Sequence, residues 1–394
     1  MMLRLFRSSI SDARLLGIGG PVLVVLVSGS VVIIRAFSSR TDPWLLGDWL
    51  IDYSAGFSRR GLFGEAIRQI SLLFGVDRVV VTSAIIWLVF FQVVAVVAVL
   101  FLNHHRGLTT ILLLVSPAFL FFFLNFLGTM RKELLLFSLV GSVLLLTRNP
   151  SHTRWSWLLP GLFPLLVFAH EGLALYGGFI LIIIFLLHSE GAIPKKTAIT
   201  QGLFTTAATG VAGWVILRWG SSPGIDQRIC DNLVSEGYSK QLCGGAISFL
   251  DRNTQEAIER VAGVVANENY LAIYITLAAL AAIPFLFVRF SRTLRVGLLV
   301  ALTLTVPLYV VAIDWGRWLV ITVWLVTFIT VRFDGSAHVR VKPINPATFR
   351  TDLLAVAAIL AYATLWSVPH CCEPRVGFGL IDRAAELLRY VGGG

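Results

Sequence analysis

The sequence predicts an all-α, polytopic transmembrane bundle of about eleven spans, because apolar stretches near the roughly 20 residues a bilayer crossing needs recur along it. Two further observations agree. Hydrophobic residues make up 57% of the 394 positions and charged ones only 14%, and the mean hydropathy is +0.82, outside the balance of a soluble domain. The basic residues behind the formal net charge of +10 lie in short clusters between apolar runs. That pattern signals membrane topology and excludes nucleic acid as a partner.

The first apolar run follows Arg4, Arg7 and Arg14. It resembles a signal peptide, but it is too long for a usual apolar core and no small-residue cleavage site follows, so it reads as a retained span. The spans fall at about 15 to 36, 79 to 102, 109 to 126, 129 to 147, 155 to 170, 172 to 188, 198 to 218, 269 to 288, 296 to 313, 316 to 331 and 351 to 368. With the N-terminus cytoplasmic, the compact basic loops holding Arg106, Arg148, Arg154, Lys195, Lys196, Arg289, Arg292, Arg295, Arg332, Arg340, Lys342 and Arg350 all face the cytoplasm, as orientation by positive charge requires. The C-terminus is then extracytoplasmic, and the expected location is the inner (cytoplasmic) membrane.

Residues 1–394 form a single transmembrane domain with two long outer loops, 37–78 and 219–268, and an outer tail, 369–394. In the first loop, Gly61 to Gly75 has apolar residues at helical spacing and reads as an interfacial amphipathic helix. In the second, Asn253 to Val265 has a helical pattern with Glu256 and Glu259 on its polar face. All four cysteines fall outside. Cys230 and Cys243 are expected to staple the second loop in an oxidising compartment, and the vicinal Cys371 and Cys372 are expected to bond elsewhere than to each other. His104, His105, His152, His188 and His338 fall in inner loops or at inner helix ends and read as solvated.

Ionisable groups near hydrocarbon cost several kcal/mol unless paired or wet. Four such constellations map to the outer face: Asp48, Asp52, Tyr53, Arg59 and Arg60 after span one; Asn125, Arg131, Lys132 and Glu133 between spans three and four; His170 and Glu171 between spans five and six; Asp314 and Arg317 between spans nine and ten. Snorkelling and interfacial anchoring explain any one of them. Four together, with both signs of charge in turns too short to be solvated loops, point to a site.

Those residue types suit a phosphorylated lipid. Arg59, Arg60, Arg131 and Arg317, with Lys132, are candidates to clamp a phosphate, because a guanidinium presents a planar fork of donors under permanent charge. Asp52 is a candidate general base toward an acceptor hydroxyl, with Asp48 the alternative. His170 and Glu171 are candidates to position substrate or act as a second acid and base, with Tyr53, Glu133 and Asp314 in support. The residues single out no resident cofactor, and Asp48 and Asp52 at i, i+4 are a weak candidate pair for a divalent cation such as Mg or Mn. Phosphate-loop, zinc-protease and nucleophile-elbow motifs are not evident in the sequence.

This layout resembles the GT-C superfamily of membrane glycosyltransferases, in which a first outer loop with acidic residues precedes an amphipathic helix and a long outer loop follows span seven. The resemblance implies a GT-C-like fold, a polyprenyl-phosphate or diphosphate sugar as donor, a glycan, lipid or protein acceptor, and Asp52 or Asp48 as catalytic acid. The adjacent acidic pair customary in that group is absent. Asn125 to Arg131, His170 and Arg317 are also similar to landmarks of O-antigen and exopolysaccharide polymerases, with different spacing. A lipid-linked glycan flippase or transporter would instead carry polar residues through the depth of several spans. A scaffold subunit of an envelope-synthesis complex would use the charged turns as partner contacts.

Overall fold

The computed structural model describes residues 12–104, 108–124, 130–267, 269–342, 352–369, 381–382 and 385. Asn125, His105, Cys371, Cys372 and most of the tail 369–394 lie outside the described residues.

The chain is helical, as an apolar environment that offers the backbone no water dictates. Helix α1 (Asp12–Ser39) packs along α4 (Arg78–Leu102), and the first loop between them carries α2 (Leu45–Trp49) and α3 (Gly61–Phe74). The chain continues through α5 (Leu108–Leu114), α6 (Pro117–Leu124), α7 (Glu133–Leu146), a 3-10 segment Pro150–Trp157 and α8 (Leu158–Ala169). A second 3-10 segment, Glu171–Tyr176, leads into α9 (Gly177–Ser189), followed by α10 (Lys195–Trp219), α11 (Ile225–Ser235), α12 (Thr254–Asn267) and α13 (Tyr270–Ala282). Strand β1 (Val288–Phe290), α14 (Arg292–Val311), α15 (Trp315–Phe333), β2 (Val339–Val341) and α16 (Asp352–Thr364) complete the order.

Among the described residues, six stretches are long and apolar enough to cross a bilayer: Val22–Ser39, Arg78–Leu102, Glu171–Ser189, Tyr270–Phe287, Arg292–Val311 and Trp315–Phe333. The expected span 109–126 is instead two short helices. Pro117 has no N–H to continue the hydrogen-bond ladder and opens α6 as its first residue. Helices α7 and α8, with 14 and 12 residues, are shorter than the spans expected at 129–147 and 155–170, because polar turns occupy the ends of those ranges. The two loop helices, α3 and α12, form where the amphipathic patterns put them.

Helix α15 is the central shaft: 83% of its crossing window is buried, against 28% for α13 and α14. Trp324 lies between the rings of Phe119 and Phe137, with centroids 4.3 and 4.4 Å away, and its indole N–H donates to the Phe119 carbonyl at 2.8 Å. Among lipid tails such close packing, more than any hydrophobic drive, holds helices together. The shaft therefore fixes where its two ends lie, Arg317 at one and Arg332 at the other.

At the Arg332 end, that guanidinium donates to Glu190 at 2.9 Å and to the Leu144 carbonyl at 3.1 Å. There β1 and β2 form an antiparallel ribbon that pairs Arg289 with Arg340. His104 is buried there, 3.6 Å from Asp334, and His338 meets Ser291 at 2.8 Å. Both imidazoles are thus packed against partners, in place of the solvated positions their loops suggested.

Candidate functional site

At the opposite end, the four turns converge. Asp42 starts the assembly: its carboxylate accepts from the amides of Trp44 and Leu45 at 2.9 and 2.7 Å, which sets α2 and buries Asp48 on it. Trp49 donates its indole N–H to the Met130 carbonyl at 2.9 Å, tying α2 to the turn before α7. Gly64 of α3 backs directly onto that segment. A Cβ built there would stand 1.9 Å from the Ile51 carbonyl oxygen, so only glycine permits the approach.

The cluster has an inner and an outer layer. Inside, Asp48, Arg131, Lys132, Glu133, His170 and Arg317 are all buried. Arg317 donates to Glu133, to Asp314 at 2.7 Å, and toward His170 Nε2 at 2.9 Å. The Gly172 amide approaches His170 Nδ1 at 3.2 Å. A neutral imidazole has one bare nitrogen, so it satisfies one of these two donors at a time. Arg131 reaches to 3.6 Å from Asp48 and sits over the Trp44 ring at 5.8 Å. The Lys132 ammonium donates to the Arg60 carbonyl at 2.7 Å.

Outside, Arg59, Arg60, Glu171 and Asp314 remain partly open to solvent. Arg60 grips Glu171 with Nε at 2.8 Å from Oε2 and Nη2 at 2.6 Å from Oε1, while Arg59 stands 3.8 Å from the same carboxylate. Arg59 also donates to the carbonyls of Phe249 and Arg252 and receives its own backbone anchor from Gly220, whose carbonyl accepts at 2.7 Å. Arg60 and Met130, on the two turns that meet here, both hold positive φ, 67° and 55°. Such strain in residues with a Cβ persists only where surrounding contacts enforce it.

Five cations thus face four carboxylates, and the pairing is incomplete. Neither oxygen of Asp48 has a hydrogen-bond partner, nor do Arg131 Nε and Nη1, Arg317 Nε or Glu133 Oε2. Burial works to protonate Asp48, but Lys132, Arg131 and neighbouring cations prevail and hold its carboxyl well below the usual range.

Asp52 is placed differently from Asp48. It is buried, salt-bridged to Arg78, and accepts from the Ser54 amide at 2.9 Å and hydroxyl at 2.6 Å. Arg78 continues to Glu236 at 2.9 Å. Tyr53 joins this neighbouring network, since its amide donates to Glu65, which also takes Arg68. Arg78 was not singled out by sequence reasoning, because a cation at the start of a span reads as an interfacial anchor.

Asp48 and Asp52 answer to different arginines, so as found they do not make a joint cation site. Among the described residues no group of three or more His, Cys, Asp or Glu is arranged to hold a metal ion, and the cationic surroundings oppose one.

The second loop covers this end. Cys230 of α11 is bonded to Cys243, and just beyond the bridge the Ala246 amide ties the second loop to the first by donating to the Pro43 carbonyl at 3.1 Å. No family model, curated protein or solved structure matches the chain.

Proposed function

We propose that this is a membrane glycosyltransferase of GT-C-like architecture that moves a sugar from a polyprenyl-phosphate or diphosphate donor to a glycan, lipid or protein acceptor at the extracytoplasmic face. The observation that carries the reading is the buried Asp48 carboxylate, ionised and without a hydrogen bond, beneath a rim of arginines at one end of an apolar bundle. The Cys230–Cys243 bridge beside that rim supports the outer compartment, since disulfides persist where the milieu is oxidising. The eleven-span threading belongs to the same reading, with the short helices α5 to α8 crossing in combination.

In the reaction, the outer layer would part to admit the acceptor and Arg60 would turn from Asp48 toward the phosphate, which relieves part of the charge that makes the buried carboxylate a weak base. The acceptor hydroxyl would then give its proton to Asp48 as its oxygen bonds the anomeric carbon. The bond from that carbon to the donor phosphate breaks, and its electron pair leaves on the phosphate. Arg59 and Arg60, the accessible cations, exchange part of their hold on Glu171 for the departing charge, which is stabilisation where charge develops. Arg131, Lys132 and Arg317 act from behind: they keep the carboxylates ionised and the turns in place. A bound cation has no step in this scheme. Asp48 takes precedence over Asp52 as base, because Asp52 is locked by Arg78 and Ser54.

An O-antigen or exopolysaccharide polymerase would use the same donor chemistry on a longer glycan, and the direct contact of Arg317 with His170 favours it as the second reading. A flippase is less well supported, since the charged cluster occupies one end of the bundle and the shaft between is apolar.

The test is transfer from labelled polyprenyl-phosphate sugars by the purified protein in native lipids. Asp48→Asn should lower turnover by about 10²-fold or more while leaving donor binding to the rim measurable. Asp52→Asn should leave more activity than Asp48→Asn. Full transfer by a folded Asp48→Asn protein would overturn the assignment, and failure of the unaltered protein to bind any polyprenyl-phosphate sugar would favour a scaffold.

A further inference from the structure

The end of the bundle opposite the ionic cluster carries a constellation of a different kind. The ribbon register places Arg289 directly across from Arg340. Strand alternation explains the geometry: Val288, Val339 and Val341 turn inward and are buried, so the arginines between them share the outer face. Like charges facing each other across a strand pair are destabilising. Immediately after β1, Ser291 caps α14 by accepting from the Leu294 amide, and Arg292 and Arg295 occupy the helix's first turn. Acids, not cations, are favoured at that position by the helix dipole. Lys342 ends the ribbon.

Arg289, Arg292, Arg295, Arg340 and Lys342 are all exposed, and among the described residues none of them forms an ion pair with an acid. The nearby Asp334 is turned inward, accepting from the Val341 amide at 2.7 Å and facing His104. Two unfavourable arrangements of charge, side by side and with no counter-ion among the described residues, call for an anion from outside.

The neighbouring surface says which kind. Arg292, Arg295, Val296 and Leu299 follow helical spacing along one stripe of α14, and both Val296 and Leu299 are exposed. Leu286, three residues before Arg289, is 75% exposed. The cations therefore stand at the edge of an uncovered apolar wall that continues along a crossing helix. A molecule with a phosphate at one end and hydrocarbon directly beneath it matches that stripe, and a soluble anion matches only its tip.

We infer that the β1–β2 ribbon and the start of α14 form a binding surface for anionic phospholipid, with the headgroup phosphate between Arg289, Arg340, Arg292 and Arg295 and an acyl chain along Val296 and Leu299. The inference is independent of the sugar-transfer reading, because it uses no residue of that site.

It is tested by native mass spectrometry of the delipidated full-length protein titrated with phosphatidylglycerol or phosphatidylcholine of identical chains. The unaltered protein should retain phosphatidylglycerol in preference. Arg289→Gln with Arg340→Gln should reduce that preference by about fivefold for each cation lost, whereas Lys195→Gln with Lys196→Gln, an equal loss of charge at the start of α10, should preserve it. Should the ribbon variant not fold, Arg292→Gln with Arg295→Gln reads the same surface. Equal retention of the two lipids, equal loss in the ribbon and α10 variants, or full displacement of phosphatidylglycerol by millimolar inorganic phosphate would each overturn the inference.

Discussion

A carboxylate buried without a hydrogen bond ordinarily takes up a proton, since an isolated charge in a medium of low polarity is costly. Asp48 stays ionised because Lys132 and Arg131 stand close to it. The same dependence makes the inner layer brittle. Arg317→Ala would strand Glu133 and Asp314, and removing one partner of a buried pair costs about 3 to 5 kcal/mol. The double change Arg317→Met with Glu133→Gln should recover much of that loss, as thermal unfolding in a fixed detergent will show. Glu65 permits a prediction about acid. Hydrogen bonds from Arg68, against opposing burial and with help from Gln69 and the Tyr53 amide, draw its pKa down from 4.5 to about 2. A group depressed in the folded state stabilises above its unfolded pKa and loses that contribution as pH falls through the folded one. Amides of α3 should therefore exchange faster as pH drops from about 4.5 toward 2, beyond the intrinsic trend, and Glu65→Gln should abolish that extra dependence.

At the scale of elements, the long helices were legible because each carries a near-continuous apolar run. The division of 109–126 was signalled only by Ser116-Pro117, which run length alone overlooks. The four polar turns were legible as expensive residues at the junctions between apolar runs, and the structure brings Asp48, Arg59, Arg60, Arg131, Lys132, Glu133, His170, Glu171, Asp314 and Arg317 together. Which aspartate belongs to that group was not legible. Asp48 and Asp52 are four residues apart, and what separates them is Arg78, 26 residues beyond Asp52 on α4. Helix α3 is the brace for both. Gly64→Ala should force its backbone away from Ile51 and reduce transfer along with stability, while Gly75→Ala, at a helix end with φ 63° and open space around it, should affect stability alone. Comparing specific activity of the folded fractions separates the two effects.

For the whole molecule, the placing of charge at the two ends is the property to check. Reporter fusions after Ser235 and within residues 343–350 should report opposite compartments, with the disulfide-bearing loop outside. A cytoplasmic signal from the Ser235 fusion would put the arginine rim on the wrong side for a polyprenyl-phosphate sugar presented externally. Cys230→Ser with Cys243→Ser should loosen the second loop and lower activity without removing Asp48 from its cations, since none of them lies in that loop.

The seat of Arg59 is built from carbonyls 190 and 193 positions further along the chain. During synthesis, the loop bearing Asp48 emerges and must wait while seven further helices, α4 to α10, are laid down before its lid arrives. Until then the incomplete mouth exposes acids and guanidinium groups to whatever surrounds it, a period in which a nascent chain would be open to proteolysis and would gain most from a chaperone.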